Sequence, residues 1–344
     1  MVTRKSIILI IVFVLLLGFG ASKFFNNTKS LLEENEIQPV KLKELSGREY
    51  SIVKEDFLKI LDEYGPKVAL TELRERIKID NEMLRSCHVL VHDIGRATYE
   101  KYGDFGEAIK SQDEICNSGY LHGVIEAHFS ESQDIFATMK TVCSSYPLGK
   151  YLSWECYHGI GHGVMYFTAN DLPKALELCR NYENTFESEN CVNGVFMENF
   201  NTDQKLHHSK FLKENDLFYP CQEQSLGYKG ICYLYAPTYY LSLHKNDYSG
   251  ALDWCNSAEF FYRSTCVQGV GSQAIKENIN NPKFVEEICM SGDSSQVVSC
   301  ISGMVGLYTN HHGSLEPSRK LCEQLEVSNR QTCYASIQLS AKLF

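Results

Sequence analysis

The chain has 344 residues, 44% of them hydrophobic, with 20 Tyr and 18 Phe, which is enough to bury a large core and excludes a disordered chain. Its formal charge is −10, with no Lys/Arg run beyond the first few residues, so it lacks the cationic footprint a phosphate backbone requires and nucleic acid is not an expected partner. Fourteen cysteines, an even count at regular spacing, point to an oxidising compartment in which thiols persist as disulfides.

In chain order, residues 1–22 read as a signal-anchor or transmembrane segment. Arg4 and Lys5 precede an apolar stretch from Ile7 to Ala21 that is short for a spanning helix and long for a signal-peptide core. The segment either stays as an anchor or is cleaved after its small residues. In both cases the positive flank keeps the N-terminus inside and sends the rest across, so the expected location is the extracytoplasmic face of a membrane, or secreted. Residues 23–50 are polar and read as a stalk, with a sequon at Asn26-Asn27-Thr28. Residues 51–86 carry apolar residues at helical spacing, starting near Val53 and broken at Gly65-Pro66, and predict an N-terminal helical cap.

Residues 87–344 form the repeat region. Its cysteines fall into the couples Cys143/Cys156, Cys179/Cys191, Cys221/Cys232, Cys255/Cys266, Cys289/Cys300 and Cys322/Cys333, recurring every 33 to 42 residues, the period of helical-hairpin arrays. Cys87 and Cys116 remain and pair by elimination, joining neighbouring hairpins. Each unit opens a helix near a proline, as at Pro173, Pro282 and Pro317, and a polar stretch such as Ser291-Gly292-Asp293-Ser294 is expected to turn the chain and cap the return helix. The second cysteine of each couple is expected to open, or nearly open, that return helix. Glycine follows the second cysteine at the third position, as Gly119, Gly159, Gly194, Gly269 and Gly303. We expect it to let the two disulfide-linked helices approach closely. The fold class is therefore all-α, a disulfide-stapled helical-hairpin repeat solenoid behind an N-terminal membrane anchor. In period, helix-turn-helix grammar and one staple per unit, residues 87 to 340 resemble the secreted cysteine-rich tetratricopeptide and Sel-like repeat proteins. That resemblance implies a superhelix whose concave face receives a protein or glycan partner.

Six of the eleven histidines lie between residues 88 and 162. His88 and His92 are four apart, as are His158 and His162, and His122 has Glu126 four residues on, so each pair shares a helix face. Stacking of adjacent return helices is expected to gather His88, His92, His122, His158 and His162 in one site, with Glu126 assisting. Such a set suits zinc, copper or iron. The alternative is that the imidazoles are core side chains bonded to carbonyls. Asp93 is either a carboxylate partner of the site or solvated, and His207, His208, His311 and His312 read as surface residues. His92-Asp93-Ile94-Gly95 also resembles the signature of the metal-dependent phosphohydrolases named for their His-Asp pair, which implies a metal-binding pair on a helix. The Tyr-rich segment from Tyr233 to Tyr240, with Pro237 inside it, reads either as a binding patch or as kinked core. Two functions follow: a binding or scaffold module carrying a His-lined metal site, or a metal-dependent hydrolase or oxidoreductase, or a metal carrier, using the same histidines.

Overall fold

A computed structural model describes residues 45–200 and 209–344. The predicted anchor, most of the stalk, the sequon, His207 and His208 lie outside the described residues. No helix among the described residues is long and apolar enough to cross a membrane.

The described residues are all-helical, with sixteen α-helices and no strand. Helix α1 (Gly47–Tyr64) starts before the expected position near Val53, because Ser46 and Glu49 close a capping box, so residues 47–50 belong to the helix and not to a stalk. Gly65, in the left-handed φ region at 87°, breaks the chain, and Pro66 opens α2 (Pro66–Arg76). Phe57, Leu61, Leu70 and Leu73 of this hairpin are buried against Leu90, Val91 and Ile94 of α3 (Asn81–Tyr102).

From α3 onward, helices alternate between an inner and an outer layer. The inner helices are α3, α5 (Ile115–Ser130), α7 (Tyr151–Phe167), α9 (Thr185–Phe200), α10 (Leu226–Leu243), α12 (Arg263–Glu277), α14 (Val297–His312) and α16 (Val327–Ser340). The outer helices are shorter: α4 (Phe105–Ile109), α6 (Ile135–Val142), α8 (Leu172–Arg180), α11 (Tyr248–Trp254), α13 (Pro282–Ser291) and α15 (Leu315–Gln324). Side-chain capping is concentrated on the outer helices, at Asp104, Asp134, Asp171, Asp247, Asn281 and Ser314. The expected cap before the return helix α14 is absent; Gln296 precedes it without a capping bond. The adjacent disulfide fixes the start of that helix instead.

Seven disulfides are present and no cysteine is free. Six tie an outer element to the following inner helix: Cys143–Cys156, Cys179–Cys191, Cys221–Cys232, Cys255–Cys266, Cys289–Cys300 and Cys322–Cys333, with Cα separations of 5.4 to 5.8 Å. These cysteines serve as structural bridges, and none is left as a thiol. The second half-cystines nearly open the return helices as expected in two units and lie deeper in four. Cys156 in α7, Cys191 in α9, Cys232 in α10 and Cys333 in α16 lie more than a turn inside, and Cys266 in α12 and Cys300 in α14 close the first turn. Cys179, Cys289 and Cys322 lie within two residues of the ends of α8, α13 and α15, so the first half-cystines sit at the connection and their partners deeper in the return helices. The first half-cystines Cys221 and Cys255 belong to short 3₁₀ turns instead of α-helices, and Cys143 ends α6.

The seventh bridge, Cys87–Cys116, ties two inner helices, α3 and α5. At its second half-cystine the backbone of Cys116, Asn117 and Ser118 takes the left-handed conformation, so α5 becomes regular only after them.

The glycines act elsewhere than expected. A Cβ on Gly123 would lie 2.0 Å from His92 O, on Gly194 1.9 Å from His158 O, and on Gly303 1.8 Å from Gln268 O. Gly95, Gly161 and Gly271 answer from the partner helices, facing the carbonyls of Tyr120, Cys191 and Cys300 at 2.0 to 2.2 Å. Glycine therefore brings inner helix against inner helix, in the pairs α3/α5, α7/α9 and α12/α14, and not against the disulfide-linked outer helix. Carbonyl oxygens occupy the space where side chains would begin.

The array also does not stay open. The α14 segment packs against α5, Tyr151 Oη donates to Asn310 O at 2.8 Å, Tyr151 N donates to Leu343 O at 2.9 Å, and the Tyr151 ring stacks on Phe344. His311 Nδ1 reaches Asn117 Oδ1 at 3.2 Å across 194 residues of sequence, which makes His311 a half-buried closure contact and not a surface residue. His312 remains exposed. The expected concave face thus becomes the wall of a central cavity of about 200 Å³ reached by α3, α5, α7, α9, α10, α12 and α14. In the Tyr-rich segment, Tyr233 and Tyr239 are core, whereas Tyr235 faces this cavity and donates to Asn193 Oδ1.

The glycine packing makes a contrast that urea unfolding of the oxidised protein will read. Gly303→Ala is expected to lose at least about 2 kcal/mol, as overpacking against backbone does. Gly306→Ala on the same helix, where nothing lies within 4 Å, is expected to be neutral or to gain up to about 1 kcal/mol from helix propensity.

Candidate metal centre

The five predicted histidines converge. His88 and His92 stand on α3, His122 on α5, and His158 and His162 on α7, and all five are buried at 1 to 8% exposure. His122 stacks on His162 with ring centroids 4.7 Å apart, and it lies 5.2 to 5.6 Å from His88, His92 and His158. Two sets are close enough to hold a metal ion, His88, His92 and His122 in one and His92, Glu126 and His162 in the other.

The cluster is layered. His88, His122 and His158 line the central cavity, together with Met197. His92 and His162 lie behind them, and carboxylates lie behind those: Glu126 Oε1 accepts from His92 Nδ1–H at 2.9 Å, and Glu198 Oε2 from His162 Nδ1–H at 2.8 Å. His88 Nδ1–H donates to Cys116 O at 2.7 Å, a bond that depends on the left-handed turn at the start of α5. Carboxylates and carbonyls on Nδ1 fix the imidazole tautomer and ring orientation, as they do behind metal-bound histidines.

Orientation leaves the Nε2 atoms facing one another. His88 Nε2 and His92 Nε2 are 3.1 Å apart, and so are His158 Nε2 and His162 Nε2. For the first pair the donors are accounted for, since a carbonyl and a carboxylate only accept. Each neutral ring would then turn a lone pair toward the other. Such a contact is repulsive unless a cation or an extra proton sits between them. Two nitrogens about 2.0–2.1 Å from one tetrahedral metal lie about 3.3 Å apart, close to the observed separation.

The surroundings oppose protonation. Burial, reinforced by the neighbouring imidazoles, holds His88, His122 and His158 well below the usual imidazole range. Burial alone would raise Glu126, but His92 and Arg96 outweigh it and bring the carboxyl down to about 2. Burial pushes Glu155 up to about 8, and its Oε2 lies 3.5 Å from His122 Nε2. Neither nitrogen of His122, nor Nδ1 of His158, has a hydrogen-bond partner among the described residues. Buried polar atoms left without partners are costly, and they mark a place where a ligand completes the structure.

Asp93 is not solvated. Seven per cent exposed, it accepts from Tyr50 Oη and Arg96 and pairs with Lys54 at 3.1 Å. It faces away from the imidazoles toward α1, so the His92-Asp93 pair does not present two ligands to one metal here. Arg96 bridges Asp93 to Glu126 and carries the charge balance outward. Reasoning from the sequence missed Arg96, Glu155, Met197 and Glu198. Only Glu198 left a signal: it follows His162 by 36 residues, much as Glu126 follows His92 by 34.

The chain matches no protein-family model, no curated protein and no solved structure.

The bridge predicts unequal costs within one charge network. Arg96→Leu strands the buried carboxylates of Asp93 and Glu126 and is expected to cost about 3–5 kcal/mol in denaturant unfolding. Lys54→Met, at the partly exposed end of the same network, is expected to cost less than about 1 kcal/mol. Equal effects would show that the guanidinium does not hold the two acids together.

Proposed function

We propose that this chain is an extracytoplasmic metal protein, tethered by its N-terminal apolar segment, whose buried imidazole cluster binds zinc, copper or iron beside a partly open cavity that admits a small ligand. The observation that carries the reading is the face-to-face approach of His88 Nε2 and His92 Nε2 at 3.1 Å with both Nδ1 atoms committed elsewhere. Neighbouring nitrogens at His122 without hydrogen bonds extend the same donor set. Imidazole ligands suit all three metals. The disulfide ladder is the support for an oxidising compartment, and the stretch Ile7 to Ala21 is the support for a tether.

Closure of the array favours chemistry or carriage of a small molecule over display of a scaffold. A protein or glycan partner needs a broad concave surface, whereas this one is narrowed to a cavity of about 200 Å³. The cavity wall opposite the histidines offers Asn193, Tyr235, Gln268 and Lys276, a set that can orient a polar or anionic ligand. With the metal bound as a Lewis acid or redox centre, the cluster would serve a metal-dependent hydrolase or oxidoreductase. Glu155, which lines both this cavity and a larger cleft of about 980 Å³, is raised by burial and is placed to hold a proton near His122.

Elemental analysis of untagged protein, purified oxidised, tests the reading. At least one equivalent of zinc, copper or iron per chain is expected, and one equivalent fewer in His88→Ala/His92→Ala folded to the parent's circular dichroism. Glu126→Gln is expected to keep the fold and weaken that metal by about 10- to 100-fold, as loss of an orienting carboxylate does. A parent protein that neither retains nor binds any of these metals returns the histidines to the core.

A further inference from the structure

The second histidine pair differs from the first in one neighbour. His158 Nε2 lies 3.1 Å from His162 Nε2 and 3.2 Å from Met197 Sδ, so one imidazole nitrogen has both a second imidazole nitrogen and a thioether sulfur beside it. Met197 belongs to α9, which the Gly161 and Gly194 contacts press against α7, and its side chain is half-buried at the cavity wall. At His162 the orienting carboxylate is Glu198, the next residue after Met197 on the same helix. The two pairs are not copies by sequence register. Gly123 meets His92 O where Gly194 meets His158 O, so the second pair sits one turn further along its helix, and Met197 stands where the first site has Glu126. The exchange replaces a hard carboxylate oxygen by a soft sulfur.

We propose a second metal position, formed by His158, His162 and Met197, that takes copper(I). Thioether sulfur selects copper(I) over zinc, and two imidazoles with one methionine provide a three-coordinate set of the softness that ion prefers. A thioether accepts only weakly, and a 3.2 Å contact with an imidazole nitrogen adds little to core stability, whereas it brings two ligand atoms to nearly the separation they keep around one ion. His158 and Met197 face the cavity, so a ligand can reach this position from it. The proposal rests on the metal-centre reading above and adds to it a distinct site with a distinct ion.

Two titrations of the metal-depleted, disulfide-intact protein separate the readings. One uses zinc(II) alone. The other uses copper(I), kept reduced by ascorbate and competed with a chromophoric copper(I) chelator. The parent is expected to bind one equivalent of copper(I) tightly. Met197→Leu, nearly isosteric, is expected to weaken copper(I) at least about 10-fold while leaving zinc(II) binding and circular dichroism unchanged, and His158→Ala is expected to abolish the copper(I) equivalent. Copper(I) affinity unchanged in Met197→Leu, or zinc bound with no copper(I), overturns the second position and leaves the first standing. Binding of neither ion overturns the second position, and the first is then judged by the elemental analysis for zinc, copper and iron.

Discussion

Backbone contact between consecutive inner helices governs this molecule. Where His92 O, His158 O and Gln268 O lie, any side chain larger than hydrogen on the facing residue would overlap them, so glycine at 123, 194 and 303 is a steric requirement. The resulting close approach gives three helices, α3, α5 and α7, imidazoles within contact of one another. It also brings Glu126 and Glu198 from the next helix in each pair up behind them. The disulfides do a different job. They fasten short outer helices, too short to be stable alone, to the inner wall, and each adds up to about 3 kcal/mol by restricting the unfolded chain.

Five buried imidazoles packed against one another are an expense that core packing does not explain. A core histidine is usually satisfied on both nitrogens, and here three nitrogens are unsatisfied and two pairs face each other. The negative charge behind them is compensated in sequence: Glu126 by Arg96, Arg96 by Asp93, and Asp93 by Lys54 and Tyr50 at the edge. That chain balances the carboxylates without placing any positive group between the Nε2 atoms. The position left for a cation is the one the ligand set surrounds.

Much of this was legible in the sequence, for reasons that are local. Cysteine period gave the hairpins and six of the bridges, since each of those staples spans one short connection whose length the fold repeats, and elimination gave the seventh, Cys87–Cys116. The i, i+4 histidine spacing gave two helix faces, and repeat stacking gave their convergence. What escaped has no local signature. Cysteine spacing says which residues pair but not where the helices begin, so Cys156, Cys232 and Cys333 lie deeper in their helices than expected. Glycine spacing says which face is bare but not which neighbour fills it, so the partner helix was misassigned. Closure depends on Tyr151 meeting Asn310 and Leu343, contacts whose partners lie more than about 150 residues apart, a separation at which local sequence pattern carries no pairing information. Met197 reads as ordinary core until its sulfur is seen beside His158, and Ser46 with Glu49 moved a helix start that apolar periodicity had placed later.

An anomalous-difference map from crystals of the oxidised, untagged protein, recorded at the absorption edge of the metal it carries, tests the central claim most directly. The account predicts a peak about 2.0–2.1 Å from Nε2 of both His88 and His92, with His92 Nδ1 still bonded to Glu126. Crystals showing no peak in the cluster, with either Nε2 turned to donate to a protein acceptor, would contradict it.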